Sequence, residues 1–185
     1  AGRRAAGLMR LAIDTIPSAG FQAEIDAVFG AGAVLAVQPG SPPGDAEVLL
    51  HVLAPVSAEA IAAAPSLRLI QKLGVGVNTI ALEAAKARGI AVCNMPGVNA
   101  QAVAECALTL LLAVLRRTVA LDAATRAGQW AVPSDVLDNM GEVSGRTIGL
   151  IGMGNSAARL ARALEALGAE VVFPARSSHA DKPWR

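Results

Sequence analysis

The stretch "GLIGMGNSAARLARALEALGAEVVFPARSS", residues 149–178, decides how this chain is read. The apolar run "RTIGLIG" leads into it, glycines stand at 152 and 154, and an alanine-rich segment closes on Gly168 before a second apolar run, "AEVVFP". That order spells strand, tight turn, helix and parallel strand, the context in which a Gly-x-Gly-x-x-Gly/Ala pattern carries meaning. Gly152 permits the turn and Gly154 lets the backbone approach a pyrophosphate. Ala157 takes the third position, where a small residue lets the helix lie against the strand. The exposed N–H groups at the helix start, over Asn155, Ser156 and Ala157, then meet phosphate charge together with the positive end of the helix. The competing reading is plainer: the glycines merely make a tight strand-to-helix turn.

The end of the following strand bears on which dinucleotide such a cradle holds. Roughly 20 residues past the glycines, an acid marks a free ribose 2′-hydroxyl, whereas an Arg without an acid suits a 2′-phosphate. Here the position is Ala175, followed by Arg176, Ser177 and Ser178. A guanidinium and hydroxyls suit a dianion. The sequence therefore favours NADP over NAD, with Arg176 and Ser177 as the contacts; against this stands a solvated loop arginine with no such role.

Composition excludes several function classes. Hydrophobic residues make up 54% and charged ones 17%, the opposite of a disordered chain. A formal net charge of +1 gives no electrostatic case for nucleic acid or an acidic membrane surface. The most apolar window, "AVAECALTLLLAVLRR", is interrupted by Glu105 and falls short of the roughly 18 apolar residues a membrane span needs. Two cysteines without C-x-x-C spacing, Cys93 and Cys106, suggest neither a disulfide framework nor a metal site, and read as small buried hydrophobes. With no leader pattern at the start, a cytoplasmic location is expected. Residues 1–8, "AGRRAAGL", read as a disordered extension or a cut edge, with Met9 as a natural start.

Upstream of the fingerprint, apolar runs and amphipathic helices alternate. Strands are expected in "LMRLAID", "AVLAVQ", "AEVLLHVL", "LRLIQKL" and "IAVCNMP", and helices in "SAGFQAEIDAVFG", "SAEAIAAAP" and "IALEAAKARG". Strands that read as continuous apolar runs between helices indicate a parallel sheet covered on both faces. A long helix is expected over 99–117, burying Val103, Cys106, Ala107, Leu110, Leu111 and Val114 along one side. Arg116 and Arg117 at its end complement the helix dipole. The turn-rich piece "RAGQWAVPSDVLDNMGEVSG" separates it from the fingerprint. The fold class is thus α/β in two domains, over 9–98 and 99–185.

Three segments now carry a family resemblance: "LIQKLGVGVNTIALEAAKARGIAVCNMPG", "NAQAVAECALTLLLAVLRR" and "VSGRTIGLIGMGNSAARLARALEALGAEVV". Together they cover most of residues 65–173, and the sequence resembles the D-isomer-specific 2-hydroxyacid dehydrogenases, which include phosphoglycerate dehydrogenases and glyoxylate/hydroxypyruvate reductases. The resemblance implies a flavodoxin-like parallel-sheet substrate domain over 9–98, followed by an incomplete Rossmann NAD(P)-binding domain. It also implies that the "LGVGV" loop offers N–H groups of Val75 and Gly76 to the carboxylate of a small 2-keto or 2-hydroxy acid. Lys72 adds a positive charge there, unless it is an exposed lysine at a strand end. Asn99 and Glu105 would lie near the nicotinamide side of the cleft. Ala100 stands where many relatives have a cofactor-contacting Thr, and Ala81 where an acidic helix cap is common, a loss of about 1 kcal/mol unless Asn78 or Thr79 substitutes.

In the family, hydride transfer between the nicotinamide and C2 of the acid also needs an Arg and a Glu–His pair from beyond the second Rossmann strand. Nothing here matches them. His51 reads as structural and His179 as an exposed loop residue. The expectation is therefore a truncated dehydrogenase with no catalytic residue of its own, with a homodimer through the Rossmann domain as in relatives. The alternatives are a non-catalytic dinucleotide-binding module and an inactive fragment.

Overall fold

The computed structural model describes residues 9–174; residues 1–8, Arg176, Ser177 and His179 lie outside the described residues. The chain divides into two compact units, Ala1–Val98 and Asn99–Arg185.

In the first unit, strands β1 (Leu11–Ile13), β2 (Val34–Ala36), β3 (Val48–His51), β4 (Leu69–Lys72) and β5 (Ala91–Cys93) form one sheet. All neighbours are parallel, in the order β2-β1-β3-β4-β5. This is the flavodoxin-like order. Helices α1 (Ala19–Phe29), α2 (Ala58–Ala62) and α3 (Leu82–Ala87) make the crossovers. Because successive side chains point to opposite faces of a strand, β1 and β3 feed two cores at once. Ala12 and Leu49 join Ile61, Ile70, Ala85 and Ile90 in one cluster. Ile13, Val48 and Leu50 join Ile25 and Val34 in the other, with Phe21 of α1 against them. Burial of each such Ile or Leu contributes roughly 1.5–3 kcal/mol. All four β3 residues are buried, as an interior strand requires, whereas the edge strand β5 leaves Ala91 and Cys93 exposed.

Local signals start the helices. Ser18 and Ser57 cap α1 and α2 by accepting the N–H groups of Phe21 and Ala60. No side chain caps α3 at Ala81. The Thr79 hydroxyl, one of the two expected substitutes, is instead paired with His51.

In the second unit, α4 (Ala100–Leu115), α5 (Thr118–Arg126) and α6 (Ser134–Asp138) precede β6 (Thr147–Gly149), α7 (Asn155–Ala166) and β7 (Glu170–Val172). Strands β6 and β7 pair in parallel around the α7 crossover. Ala161 and Leu164 of α7 are fully buried in a cluster with Val143, Met153, Ala169 and Val171.

Three expectations are corrected. The helix expected over 99–117 ends at Leu115 with Arg116 as its C-cap, and Arg117, with φ 53°, is the left-handed residue that begins α5. The two arginines therefore mark a break between helices, and the turn-rich piece contains α6. The buried side of α4 also differs from the one expected. Ala100 and Ala104 are buried, and Leu108, Leu111, Leu112 and Leu115 lie against the core, while Val103, Leu110 and Val114 are exposed. An Ala- and Leu-rich helix offers apolar residues on more than one side, so periodicity alone does not choose between them. Finally, Cys93 and Cys106 are exposed, not buried. Cys93 ends an edge strand, and Cys106 lies two residues from Ala104, close to the opposite side of a helix with about 100° per residue.

Candidate functional site

The expected site residues form two sets, one in each unit. In the first, the carboxyl ends of β1, β3 and β4 bring together Asp14, His51 and Lys72, the buried polar and charged residues of the described chain. Open parallel sheets bind ligands outside this end of their strands. The loop "LGVGVNT", residues 73–79, leaves β4 at this end.

The loop is held from several directions. Leu73 N–H donates to the His51 carbonyl at 2.8 Å, Met95 N–H to the Gly74 carbonyl at 2.8 Å, and Val56 N–H to the Thr79 carbonyl at 2.8 Å. The Asn94 side-chain amide donates to the Val75 carbonyl at 2.7 Å. Val75 and Gly76 are exposed, and their N–H groups have no partner among the described residues. Two adjacent backbone donors facing water are a suitable receptor for a carboxylate.

Lys72 is not an exposed strand-end residue. It is 6% exposed and its ammonium donates to the Val52 carbonyl, with Cε beside Gly74. Of its three donors, this bond uses one. Asp14 accepts Val52 N–H at 2.7 Å on one oxygen and meets His51 Nδ1 with the other, while His51 Nε2 pairs with the Thr79 hydroxyl at 2.8 Å. Sequence reasoning missed Asp14 and Asn94 as supports of this loop, and the pairing of Thr79 with His51, because each contact joins residues far apart in sequence.

In the second unit, backbone pairing carries the strands past their ends: Leu150 N–H donates to the Val172 carbonyl at 2.8 Å and Gly152 N–H to the Pro174 carbonyl at 3.2 Å. The turn then begins. Gly152 has φ +87°, a conformation that disfavours any side chain, so its glycine is explained by the backbone. Gly154 is different. Its φ of −79° suits any residue, and an added Cβ would meet nothing within 4 Å. Conformation and packing among the described residues do not require glycine there.

Gly154 is also the N-cap of α7, with no side-chain cap. The N–H groups of Asn155, Ser156 and Ala157 therefore have no intrahelical acceptor and face the positive end of a 12-residue helix. Ala157 is partly buried and packs against the unit's core. These residues fit a dinucleotide pyrophosphate. At the other expected cofactor-side positions, Asn99 precedes α4 without capping it, and Glu105 accepts the Gln101 amide at 2.7 Å. Among the described residues there is no cluster of metal-ligating side chains, and no helix is long and apolar enough to cross a membrane.

A five-stranded parallel sheet in flavodoxin-like order, with two unpaired N–H groups in the loop after β4, and a strand–helix–strand unit with a glycine turn before an uncapped helix define an α/β protein. The D-isomer specific 2-hydroxyacid dehydrogenase catalytic domain matches residues 43–152, and the chain belongs to that family. Among curated relatives, a glyoxylate reductase of Korarchaeum cryptofilum is 37% identical over 131 residues, which is 70% of this chain and 40% of the relative. The D-3-phosphoglycerate dehydrogenase of Mycobacterium tuberculosis H37Rv is 37% identical over 165 residues, 88% of this chain and 30% of the relative. Among solved structures, the TT0316 protein of Thermus thermophilus superposes with a TM-score of 0.79 at 31% identity, covering 95% of this chain and 58% of that one. The chain thus spans 30–40% of the length of these two curated relatives.

Proposed function

We propose that this chain is the substrate-loop and cofactor-cradle portion of an NAD(P)-dependent oxidoreductase that moves hydride between a nicotinamide and a small 2-keto or 2-hydroxy acid. The observation that carries this is Gly154: a glycine with ordinary φ, open space in place of a side chain, and an uncapped helix start behind it. When bound, the dinucleotide supplies the hydride chemistry. In this reading Gly152, Gly154, Asn155, Ser156 and Ala157 hold its pyrophosphate. Arg176 and Ser177 take a 2′-phosphate, which favours NADP over NAD.

Val75 and Gly76 receive the substrate carboxylate through their N–H groups, and the Lys72 ammonium at the carboxyl end of β4 adds positive charge at this end of the sheet. The family's substrate-binding Arg and proton-exchanging Glu–His pair fall, by the resemblance, in a part of its members that these 185 residues do not match. In this reading the residues of this chain bind and orient substrate and cofactor. Residues 9–98 act as the substrate domain and 99–185 as the cofactor domain, in a cytoplasmic protein. Exposed Leu110, Val114 and Val119 on α4 and α5 support self-association through the cofactor unit.

The test is a fluorescence titration of the full chain with NADPH and with NADH. Saturable binding with NADPH the tighter supports the proposal. Binding of neither overturns the cradle, and tighter NADH overturns only the NADP preference.

A further inference from the structure

His51 touches both ends of the 73–79 loop. Its carbonyl accepts Leu73 N–H at 2.8 Å where the loop leaves β4, and its ring Nε2 pairs with the Thr79 hydroxyl at 2.8 Å where the loop ends. The ring has little freedom to turn. Asp14 engages Nδ1, and Asp14 is itself tied at 3.2 Å by its N–H to the Leu50 carbonyl and at 2.7 Å by its carboxylate to Val52 N–H. His51 is 0% exposed and Asp14 3%. A histidine needed only to fill the core would be satisfied by Asp14 and any nearby backbone group. Here its second nitrogen reaches a hydroxyl 28 residues away, at the far end of the loop that presents Val75 and Gly76.

We infer that the buried Asp14–His51–Thr79 chain is a positioning device for the substrate loop: it fixes the spacing of the loop's ends and so the direction of the Val75 and Gly76 N–H pair. His51 does not reach solvent, so it is a positioning residue and not an acid or base of the reaction. The cost of a misplaced donor falls on ligand binding, because a carboxylate accepts well only from N–H groups that converge on it. This inference rests on the reading that Val75 and Gly76 receive a carboxylate.

The test uses the full chain, ¹⁵N-labelled, titrated with oxalate as a two-carbon carboxylate probe. In the unmodified chain, the Val75 and Gly76 amide signals are expected to shift saturably. Thr79→Val removes the hydroxyl at nearly constant shape, and should weaken oxalate binding about tenfold and speed hydrogen exchange of loop amides 73–79. Thr79→Ser, which restores the hydroxyl, should recover both. If Thr79→Val does not fold, Thr79→Ala gives the same comparison. A folded Thr79→Val or Thr79→Ala chain that binds oxalate as the unmodified chain does, with unchanged loop exchange, overturns the positioning role and leaves the carboxylate loop standing. Failure of the unmodified chain to shift at Val75 and Gly76 overturns the carboxylate loop, and the positioning role with it.

Discussion

Asp14 and His51, 37 residues apart in sequence, meet through a carboxylate–imidazole contact that is almost wholly shut off from solvent. The pair couples the carboxyl ends of β1 and β3, which are hydrogen-bonded neighbours in the sheet. Truncating the carboxylate would leave His51 Nδ1 and Val52 N–H without their partner in the core. Each orphaned buried group costs about 1–3 kcal/mol. Asp14→Ala is therefore expected to lower unfolding free energy by about 3 kcal/mol, and Asp14→Asn, which keeps an acceptor, by less. Urea unfolding followed by circular dichroism measures both, and a loss under about 1 kcal/mol for Asp14→Ala would show that water replaces the carboxylate.

Gly152 and Gly154 should separate when each is given a side chain. Gly152→Ala forces a side chain into a left-handed backbone at φ +87° and is expected to cost about 1–3 kcal/mol of stability. At Gly154 an added Cβ meets no atom of the described residues within 4 Å and φ is ordinary, so the melting temperature of Gly154→Val should hold. Its dinucleotide affinity should nevertheless fall at least tenfold, because the added branches occupy the approach to the phosphate. Melting curves beside NADPH titrations read the split. A Gly154→Val chain that melts as the unmodified one and binds NADPH equally well removes the case for a cradle.

Arg176→Ala addresses the choice of dinucleotide. If the guanidinium meets a 2′-phosphate, its loss should weaken NADPH binding about tenfold, the scale of one charge-assisted contact, and leave NADH within about twofold. Equal losses for both dinucleotides would assign Arg176 a general electrostatic role. Ser177→Ala should show the same selectivity more weakly.

Ser57 offers a prediction about pH. Its hydroxyl oxygen accepts Ala60 N–H at 3.2 Å, and its hydrogen bond to the exposed Glu59, followed by the bond from the backbone of Glu59 itself, holds that carboxyl below its ordinary range. A depressed acid stabilises the fold at pH values above its unfolded pKa, and that contribution disappears as pH falls through the folded value. Exposure to solvent keeps it small. Ser57→Ala should remove the cap, at about 1 kcal/mol, and raise the Glu59 titration point towards the usual carboxylate range. Carboxyl-carbon chemical shifts followed against pH check the second effect, and an unmoved titration would place its cause in the backbone alone.

Much of this was readable in the sequence, and the rest was not, for physical reasons visible at particular residues. The alternation of apolar runs with helices, and the glycines at 152 and 154, are local patterns fixed by backbone geometry within a few residues. They point to a parallel sheet and a tight strand-to-helix turn. The cysteines, the buried side of α4 and the breaks around Arg117 and α6 were misread or missed. Cys106 and Val103 are as apolar as Leu108, and only the neighbouring α7 decides which side of that helix is covered. Lys72 carries the same charge whether exposed or buried, and its burial depends on the Val52 carbonyl, which follows a different strand.

By itself, the sequence determined the class of elements, their parallel pairing and the two glycine turns, since period, apolarity and backbone permissiveness act over short distances. Only the tertiary structure decided the strand order β2-β1-β3-β4-β5 and, through it, the meeting of Asp14, His51 and Thr79 behind the Val75–Gly76 loop. Those contacts join residues 28 and 37 positions apart, and a distance of that kind is set by which strands lie side by side, a property that no window of sequence contains.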